Sequence, residues 1–286
     1  MRFRCTSFFL AAVTFCTWNG QWFPSGRAEH RAAPEVEART TMEAARMLRE
    51  GLAKADPDGV NDVVLCLNEI RGPKAAKALC DAIGRTNLAV VAVSGYRRRD
   101  RFDQQQDVIA TTLPVAGRGW SRWKNAKADT PPRGYAFADI VLEPATTARV
   151  YAVHLKSNYG QTTEELARRN RTKRSLAIAQ LVDQEKPKRG RRGRPVVIAG
   201  DFNADRWKKE FAGDDIFKTL EKGGFRNVLS SVGPEERITF PRRGKFGGST
   251  LDYIMVRGLA AEGDPFVAAA GSVSDHNPVF VVLDTE

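Results

Sequence analysis

The segment Gly200-Asp201-Phe202-Asn203 places a carboxylate and a carboxamide two residues apart, directly after the apolar run Val196 to Ala199. In extended backbone such residues project to the same side. A short continuous apolar run suits a strand covered on both faces, and Gly200 lets the chain turn at its end. Asp201 and Asn203 then emerge side by side at a strand end, where they could hold a water, a metal ion or a phosphate.

Other groups repeat this arrangement. Glu69 closes the apolar strand that starts at Asp62, Asp252 interrupts the stretch between Leu251 and Tyr253, and Asp275 directly precedes His276. Of the 3 histidines, His154 and His276 both lie beside strand ends in polar clusters. Any one of these acids reads equally well as a turn or capping residue. Charged groups at the edge of buried strands are costly unless paired or bound to a cation, so the full set points to chemistry. Asn19, Glu69, Asp201, Asn203, Asp252 and Asp275 offer oxygen donors and no thiolate, which suits magnesium, manganese or calcium over zinc. The histidines can move protons near neutral pH or donate to a phosphate. The 4 cysteines, Cys5, Cys16, Cys66 and Cys80, form no CxxC or Cys/His cluster, which argues against a structural zinc site.

Strands and helices alternate along the chain that carries these groups. Val13 to Asn19 reads as a first strand, Gln21 to Arg31 as a loop, and Glu35 to Ala55 as a helix with Met42, Ala45, Leu48 and Leu52 at helical spacing. A strand from Asp62 to Glu69, a helix from Pro73 to Ile83 and a strand from Leu88 to Val93 follow. Val108 to Leu113 and Phe137 to Leu142 are read as strands separated by a Pro/Gly-rich loop holding Trp120 and Trp123. Arg149 to Leu155 is a strand running into His154-Leu155-Lys156-Ser157-Asn158. A helix spans Thr163 to Gln184, and the basic linker Lys186 to Arg194 leads to the Asp201 segment. Beyond it come a helix over Asp214 to Lys222, strands at Ile238 to Phe240 and Ser249 to Val256, and a closing strand Val279 to Leu283. This mixture favours one α/β or α+β domain of two packed sheets flanked by helices. Residues 1–12 form an N-terminal extension or a degraded signal-like segment, with Arg2 and Arg4 ahead of a short apolar run; residues 13–286 form the domain. Export and a cytoplasmic location both stay open on that N-terminus. No run reaches membrane-spanning length.

The series Trp18-Asn19, Asn68-Glu69, His154-Leu155-Lys156-Ser157-Asn158, Gly200-Asp201-Phe202-Asn203, Leu251-Asp252-Tyr253 and Ser274-Asp275-His276 resembles, in order, the motifs of the endonuclease/exonuclease/phosphatase superfamily. These are metal-dependent phosphodiesterases similar to deoxyribonuclease I. The resemblance implies a four-layer α/β/β/α sandwich, two central mixed β-sheets flanked by helices, with the site at the top of the sheets. It implies that Glu69 binds Mg2+ (Mn2+ or Ca2+ as alternatives), supported by Asn19 and Asp275. Asp201 and Asn203 would position or activate the attacking water and hold the scissile phosphate. His276, oriented by Asp252, would act as base or as donor to the phosphate, and His154 would assist the leaving oxygen or stabilise charge on the phosphorane. Lys156 and Asn158 are candidate phosphate donors. Two departures stand out: Asn68 sits where the family often has Gln, and the His154 motif differs from that of abasic-site endonucleases, which points away from abasic repair.

The net charge of +11 favours polyanionic partners. Basic runs at Arg97 to Arg101, Arg168 to Arg174 and Lys186 to Arg194, with Trp120, Trp123 and Trp207, could track a nucleic-acid backbone and stack on bases. The bland reading of these runs is an exposed helix face and a flexible linker. An endonuclease-type nuclease is therefore the leading expectation, with a phosphatase or a sphingomyelinase-like phospholipid phosphodiesterase as the alternative. A degenerate binding module that only kept the fold is the third reading, and intact acids and histidines at all the motifs argue against it. A monomer is the favoured state.

Overall fold

In the computed structural model, β-branched and aromatic residues from Ala12 to Phe23 form strand β1, buried along most of its length. The structure describes residues 12–25, 32–98, 101–102, 105–124, 129–143, 146–158, 163–187, 193–241 and 247–285. The N-terminal extension, Cys5, most of the basic linker and much of the Arg97 to Arg101 run lie outside the described residues or have undescribed side chains. After β1 the chain runs through α1 (Pro34–Ala55), β2 (Asp62–Ile70), α2 (Pro73–Ile83), β3 (Ala89–Val93) and a minimal hairpin of β4 (Arg97–Arg98) and β5 (Arg101–Phe102). Then come β6 (Gln106–Thr111), β7 (Val115–Arg122), β8 (Gly134–Glu143), β9 (Thr146–His154), α3 (Glu164–Gln184) and β10 (Val196–Asp201). The chain closes with α4 (Ile216–Lys222), β11 (Arg226–Asn227), β12 (Asp252–Arg257), β13 (Ala260–Val267) and β14 (Val279–Asp284).

These strands make two mixed 6-stranded sheets, ordered β13-β14-β1-β2-β6-β3 and β11-β12-β10-β9-β8-β7. Val13, Phe15, Val64, Cys66 and Ile109 of the first sheet face Ala136, Ala138, Val150, Ala152, Val197 and Ile254 of the second in one buried cluster. On the outer face of the first sheet, Leu48, Leu52, Leu79 and Ile83 of α1 and α2 pack on Leu65, Leu67 and Phe280. On the outer face of the second, Ile178, Leu181 and Leu220 of α3 and α4 pack on Tyr151, Ile198 and Tyr253. The result is the expected four-layer α/β/β/α sandwich. It explains why β10 reads as a continuous apolar run: both its faces are covered and every residue is buried.

Several elements depart from the sequence expectation. The segment read as a loop around Trp120 is strand β7, whose burial alternates residue by residue, with Gly117 and Gly119 lying under Asp139 and Phe137 of β8. Trp123 is buried against Tyr135, 4.9 Å between ring centroids, and is not a surface aromatic. β1 continues to Phe23 where a loop was expected, and β13, polar and mostly exposed, was not anticipated. Ile238 to Phe240 forms only the isolated bridge Phe240↔Ser249. In α3, Arg174 is fully buried rather than part of an exposed basic face.

α1 approaches the first sheet through Gly51, where a Cβ would lie 2.2 Å from Cζ of Phe280. Phe280 is itself buried and stacked on Phe266 at 5.2 Å. In an open helix Gly→Ala gains about 1 kcal/mol of propensity, whereas overpacking a filled core costs ~1–3 kcal/mol. Gly51→Ala is therefore expected to lower the urea midpoint of unfolding; a raised midpoint would contradict this packing.

Candidate active site

Asn19 of β1, Glu69 one residue before the end of β2, and the last residues of β9 and β10, His154 and Asp201, gather at one edge of the sandwich. The register is irregular where it matters, between Asn19 and Phe23 on β1 and between Leu67 and Ile70 on β2. Bulges of this kind re-aim side chains beside active sites. Glu69 and Asn203 adopt left-handed backbone, φ 56° and 50°, which is uncommon for residues with a side chain. Gly200 meets a stricter demand: its φ is +142° and a Cβ there would lie 1.9 Å from the Val153 carbonyl oxygen.

The acids are joined across the two sheets by asparagines. The Asn19 amide nitrogen donates to Glu69 Oε1 at 3.3 Å and to Asp201 Oδ2 at 2.9 Å. Its oxygen accepts the Gln21 N–H at 2.9 Å, so Asn19 presents its nitrogen to the carboxylates and ties them together. It would have to turn its amide over to ligate a cation. Asn68, on the same strand as Glu69, accepts the Asp201 N–H at 3.0 Å and donates to buried Asp107 at 2.8 Å. The shorter side chain at this position thus supports Asp201 through its backbone. Glu69 Oε2 accepts the Trp22 N–H at 3.2 Å, and the Asn203 N–H donates to Asp201 Oδ1 at 2.8 Å.

His276 stands on the other side of Asp201. Its Nδ1 lies 2.7 Å from Asp252 Oδ2 and its Nε2 3.9 Å from Asp201 Oδ2. The turn bearing it is pinned to β1: Ser274 donates to the Asn19 carbonyl at 2.7 Å, Trp18 Nε1 to the His276 carbonyl at 3.1 Å, and the Asp275 N–H to Gln21 at 3.0 Å. Burial alone would lower the His276 pKa, but the Asp252 and Asp201 charges and the Asp252 hydrogen bond outweigh it and raise it to about 10. His276 is therefore an imidazolium at neutral pH. Burial, with Asp252 adding to it against the opposing His276 charge, lifts Asp201 to about 7. Burial also raises Glu69, although Gln105, Arg133 and Asn19 act against it. His154 Nε2 faces Asp201 Oδ2 at 3.5 Å and Glu69 Oε1 at 3.7 Å. Burial first, then the charges of Arg133, His276 and Lys156, hold His154 well below its ordinary pKa, as a neutral imidazole.

This donor set fits a hard divalent cation. Donor atoms of Asp201, Asp252 and His276 lie within 4.8 Å of one another, and Glu69 adjoins them through Asn19. Asp252 Oδ1 is buried without a hydrogen-bond partner among the described residues. Glu69 and Asp201, bridged by the Asn19 amide, offer the carboxylate oxygens that would hold such a cation, with Asp275 nearby on the His276 turn.

Two arginines belong to the site in roles not read from the sequence, where Arg133 was not named and Arg174 counted only as the end of the Arg168 to Arg174 basic run. Arg133, just before β8, has φ 64°, bonds Gln105, and acts electrostatically on Glu69, His154 and Lys156. Its Nε is buried without a partner among the described residues. Its one signal was an arginine in a Pro-Pro-Arg-Gly turn before a strand. Arg174 lies beneath the 154–158 segment, bonded to buried Asp214 and donating to the Lys156 carbonyl at 2.7 Å and to Asn158 Oδ1 at 3.1 Å. Of the two expected phosphate donors, Asn158 thus has its oxygen committed and keeps its amide nitrogen, while Lys156 Nζ donates to the Ser157 carbonyl at 2.8 Å.

Arg174→Met leaves Asp214 buried and unpaired, which costs ~3–5 kcal/mol. Arg174→Met with Asp214→Leu is expected to recover most of that stability, since apolar replacement of a buried pair is often neutral. The double variant still lacks the anchor of Lys156 and Asn158, so its turnover should stay reduced while its denaturation midpoint recovers. Recovery of both would show that Arg174 only stabilises.

The sequence model of the Endonuclease/Exonuclease/phosphatase family matches residues 16–276. No curated protein matches by sequence. Among solved structures, an endonuclease/exonuclease/phosphatase from Beutenbergia cavernae is similar with TM-score 0.64 and 13% identity, covering 96% of this chain and 72% of that one. TDP2 from D. rerio, complexed with single strand DNA product, is similar with TM-score 0.62 and 13% identity, covering 96% and 99%. Beta toxin from Staphylococcus aureus is similar with TM-score 0.62 and 14% identity, covering 94% and 98%. Such identities speak for the fold alone. The family match spans nearly the whole chain and every motif of the site, and on it the chain belongs to the Endonuclease/Exonuclease/phosphatase family of phosphoester-hydrolysing enzymes.

Proposed function

We propose that this chain is a nuclease that hydrolyses phosphodiester bonds of nucleic acid by in-line attack of water, with a divalent cation held by Glu69 and Asp201. The observation that carries this reading is the pairing of the Asn19-bridged carboxylates with a cationic His276–Asp252 pair across Asp201. A phosphodiester resists attack because its own negative charge repels the nucleophile, so catalysis rests on neutralising that charge. When bound, magnesium, manganese or calcium supplies that neutralisation at the phosphate oxygens and acidifies water.

The protein's own groups divide the remaining work. Asp201, a carboxylate when it holds the cation, orients the attacking water together with Asn203, and the water's proton is lost to solvent. Asn203, with its amide nitrogen on the Leu155 carbonyl at 3.2 Å and its N–H on Asp201, fixes the direction from which that water approaches. His276 already carries its proton and donates a charge-assisted hydrogen bond to a non-bridging oxygen, with Asp252 fixing the ring. Arg133 adds a second cationic donor, with Lys156 and the Asn158 amide beside it. Neutral His154 donates a hydrogen bond to the leaving oxygen and keeps its proton, and the leaving oxygen is protonated from solvent. Nucleic acid as the substrate is supported by the net charge of +11 and by the likeness to a TDP2 structure holding a single strand DNA product.

The test is cleavage of single- and double-stranded DNA by purified protein. Cutting is expected with magnesium and none with EDTA. Glu69→Gln and His276→Ala are each expected to slow cutting by at least about a hundredfold. Turnover of a phospholipid or sugar phosphate with no cutting of nucleic acid would overturn the nuclease reading in favour of a small phosphoester.

A further inference from the structure

β7 is the edge strand of the second sheet, and its exposed positions are Ala116, Arg118, Trp120 and Arg122. Trp120 is 40% exposed, one of few large aromatic side chains so placed. Its register partner is Ala136 and that of Arg118 is Ala138, and both alanines belong to the core between the sheets. The row therefore sits on the inner face of the second sheet, where β7 overhangs the edge strand β3 of the first. Alternate strand residues are about 6.7 Å apart, which is close to the reach of one extended nucleotide.

This row leads to the active site. Arg122 pairs with Gly134, the neighbour of Arg133. Trp120 lies against Gly95 and meets Tyr96 edge-on at 5.7 Å. Tyr96 donates to Asp107 at 2.9 Å, and Asp107 accepts from Asn68, the residue that holds the Asp201 N–H. At its far end Arg118 borders a groove of about 590 Å³ along β3 that also takes in Lys77. Neither Arg118 nor Arg122 has a carboxylate partner among the described residues.

Charged residues on an edge strand can serve simply to block pairing with another chain. An exposed tryptophan at the centre of the row works against that purpose, so protection of the edge does not account for it. An indole can stack only on a base whose face is open, and in a duplex neighbouring bases cover those faces.

We propose that Arg118, Trp120 and Arg122 form a track for single-stranded nucleic acid, with a base stacked on Trp120 and flanking phosphates on the two arginines, guiding the strand to the site beside Arg133. The proposal rests on the nuclease reading above and names the form of substrate that reading leaves open.

The test measures binding of a short fluorescein-labelled DNA strand by anisotropy in EDTA, so that nothing is cut. Trp120→Ala is expected to weaken binding roughly tenfold. Arg118→Gln with Arg122→Gln is expected to lower the slope of log affinity against log salt by about 1.4. Thermal unfolding of each variant checks folding, and cutting of the strand is read relative to turnover of a small aryl phosphodiester by the same preparation. Wild type that binds and cuts the strand while both variants bind it equally well overturns the track and leaves the nuclease reading standing. Wild type that hydrolyses the small diester but cuts no nucleic acid overturns the nuclease reading. Tighter binding of the matching duplex, or loss of binding to phosphatidylserine vesicles alone in the variants, also overturns the track.

Discussion

A carboxylate at the end of an apolar core is tolerated only when its neighbours compensate for lost water, and Asp201 is where this fold meets that demand. It is buried at 2% exposure, and its partners come from both sheets: Asn19 and Asn68 from the first, the Asn203 N–H from its own strand end. These hydrogen bonds position the acid and also fix how the two sheets meet at their polar edge. The Asn19 and Asn203 hydrogen bonds favour the ionised carboxylate, but burial outweighs them and Asp201 keeps a raised affinity for a proton.

The folding consequences spread outward from this point. Close approach of β10 to β9 requires glycine at position 200, and the bulges on β1 and β2 turn Asn19 and Glu69 toward the opposing sheet. Arg174 stabilises the 154–158 segment from below, so that His154 at the end of β9 is followed by a loop fastened to α3. The site is held on strand ends and on loops that are themselves hydrogen-bonded to strands. Such preorganisation is what electrostatic stabilisation of a charged transition state needs.

Much of the site was legible because its residues end apolar runs, where an acid or amide is costly unless paired or bound to a cation. Glu69, His154, Asp201 and His276 all converge, and the Asp252–His276 contact is the one the family resemblance implied. What stayed hidden had no such contrast. Arg133 looked like one basic residue among many in a chain of net charge +11, and Arg174 was indistinguishable from the exposed arginines of α3. β7 was misread because glycines at 117 and 119 mimic a loop, although they are there to admit Asp139 and Phe137 of the neighbouring strand. β13 carries its core-packed residues, Phe266 and Val267, only at its end, after Gly263 and Pro265, so no strand-like alternation announces it. In each case the deciding contact is distant in sequence, and neither periodicity nor composition carries it.

The central claim is that Glu69 and Asp201 hold a divalent cation, and calorimetric titration with manganese at pH 7 tests it most directly. With Asp201 at about 7, part of the protein carries a proton that the cation must displace. Saturable binding is expected in the wild type with a fraction of a proton released, read from buffers of different ionisation enthalpy. Glu69→Gln is expected to abolish that binding. Equal binding by Glu69→Gln, or binding with no proton release, would contradict the claim.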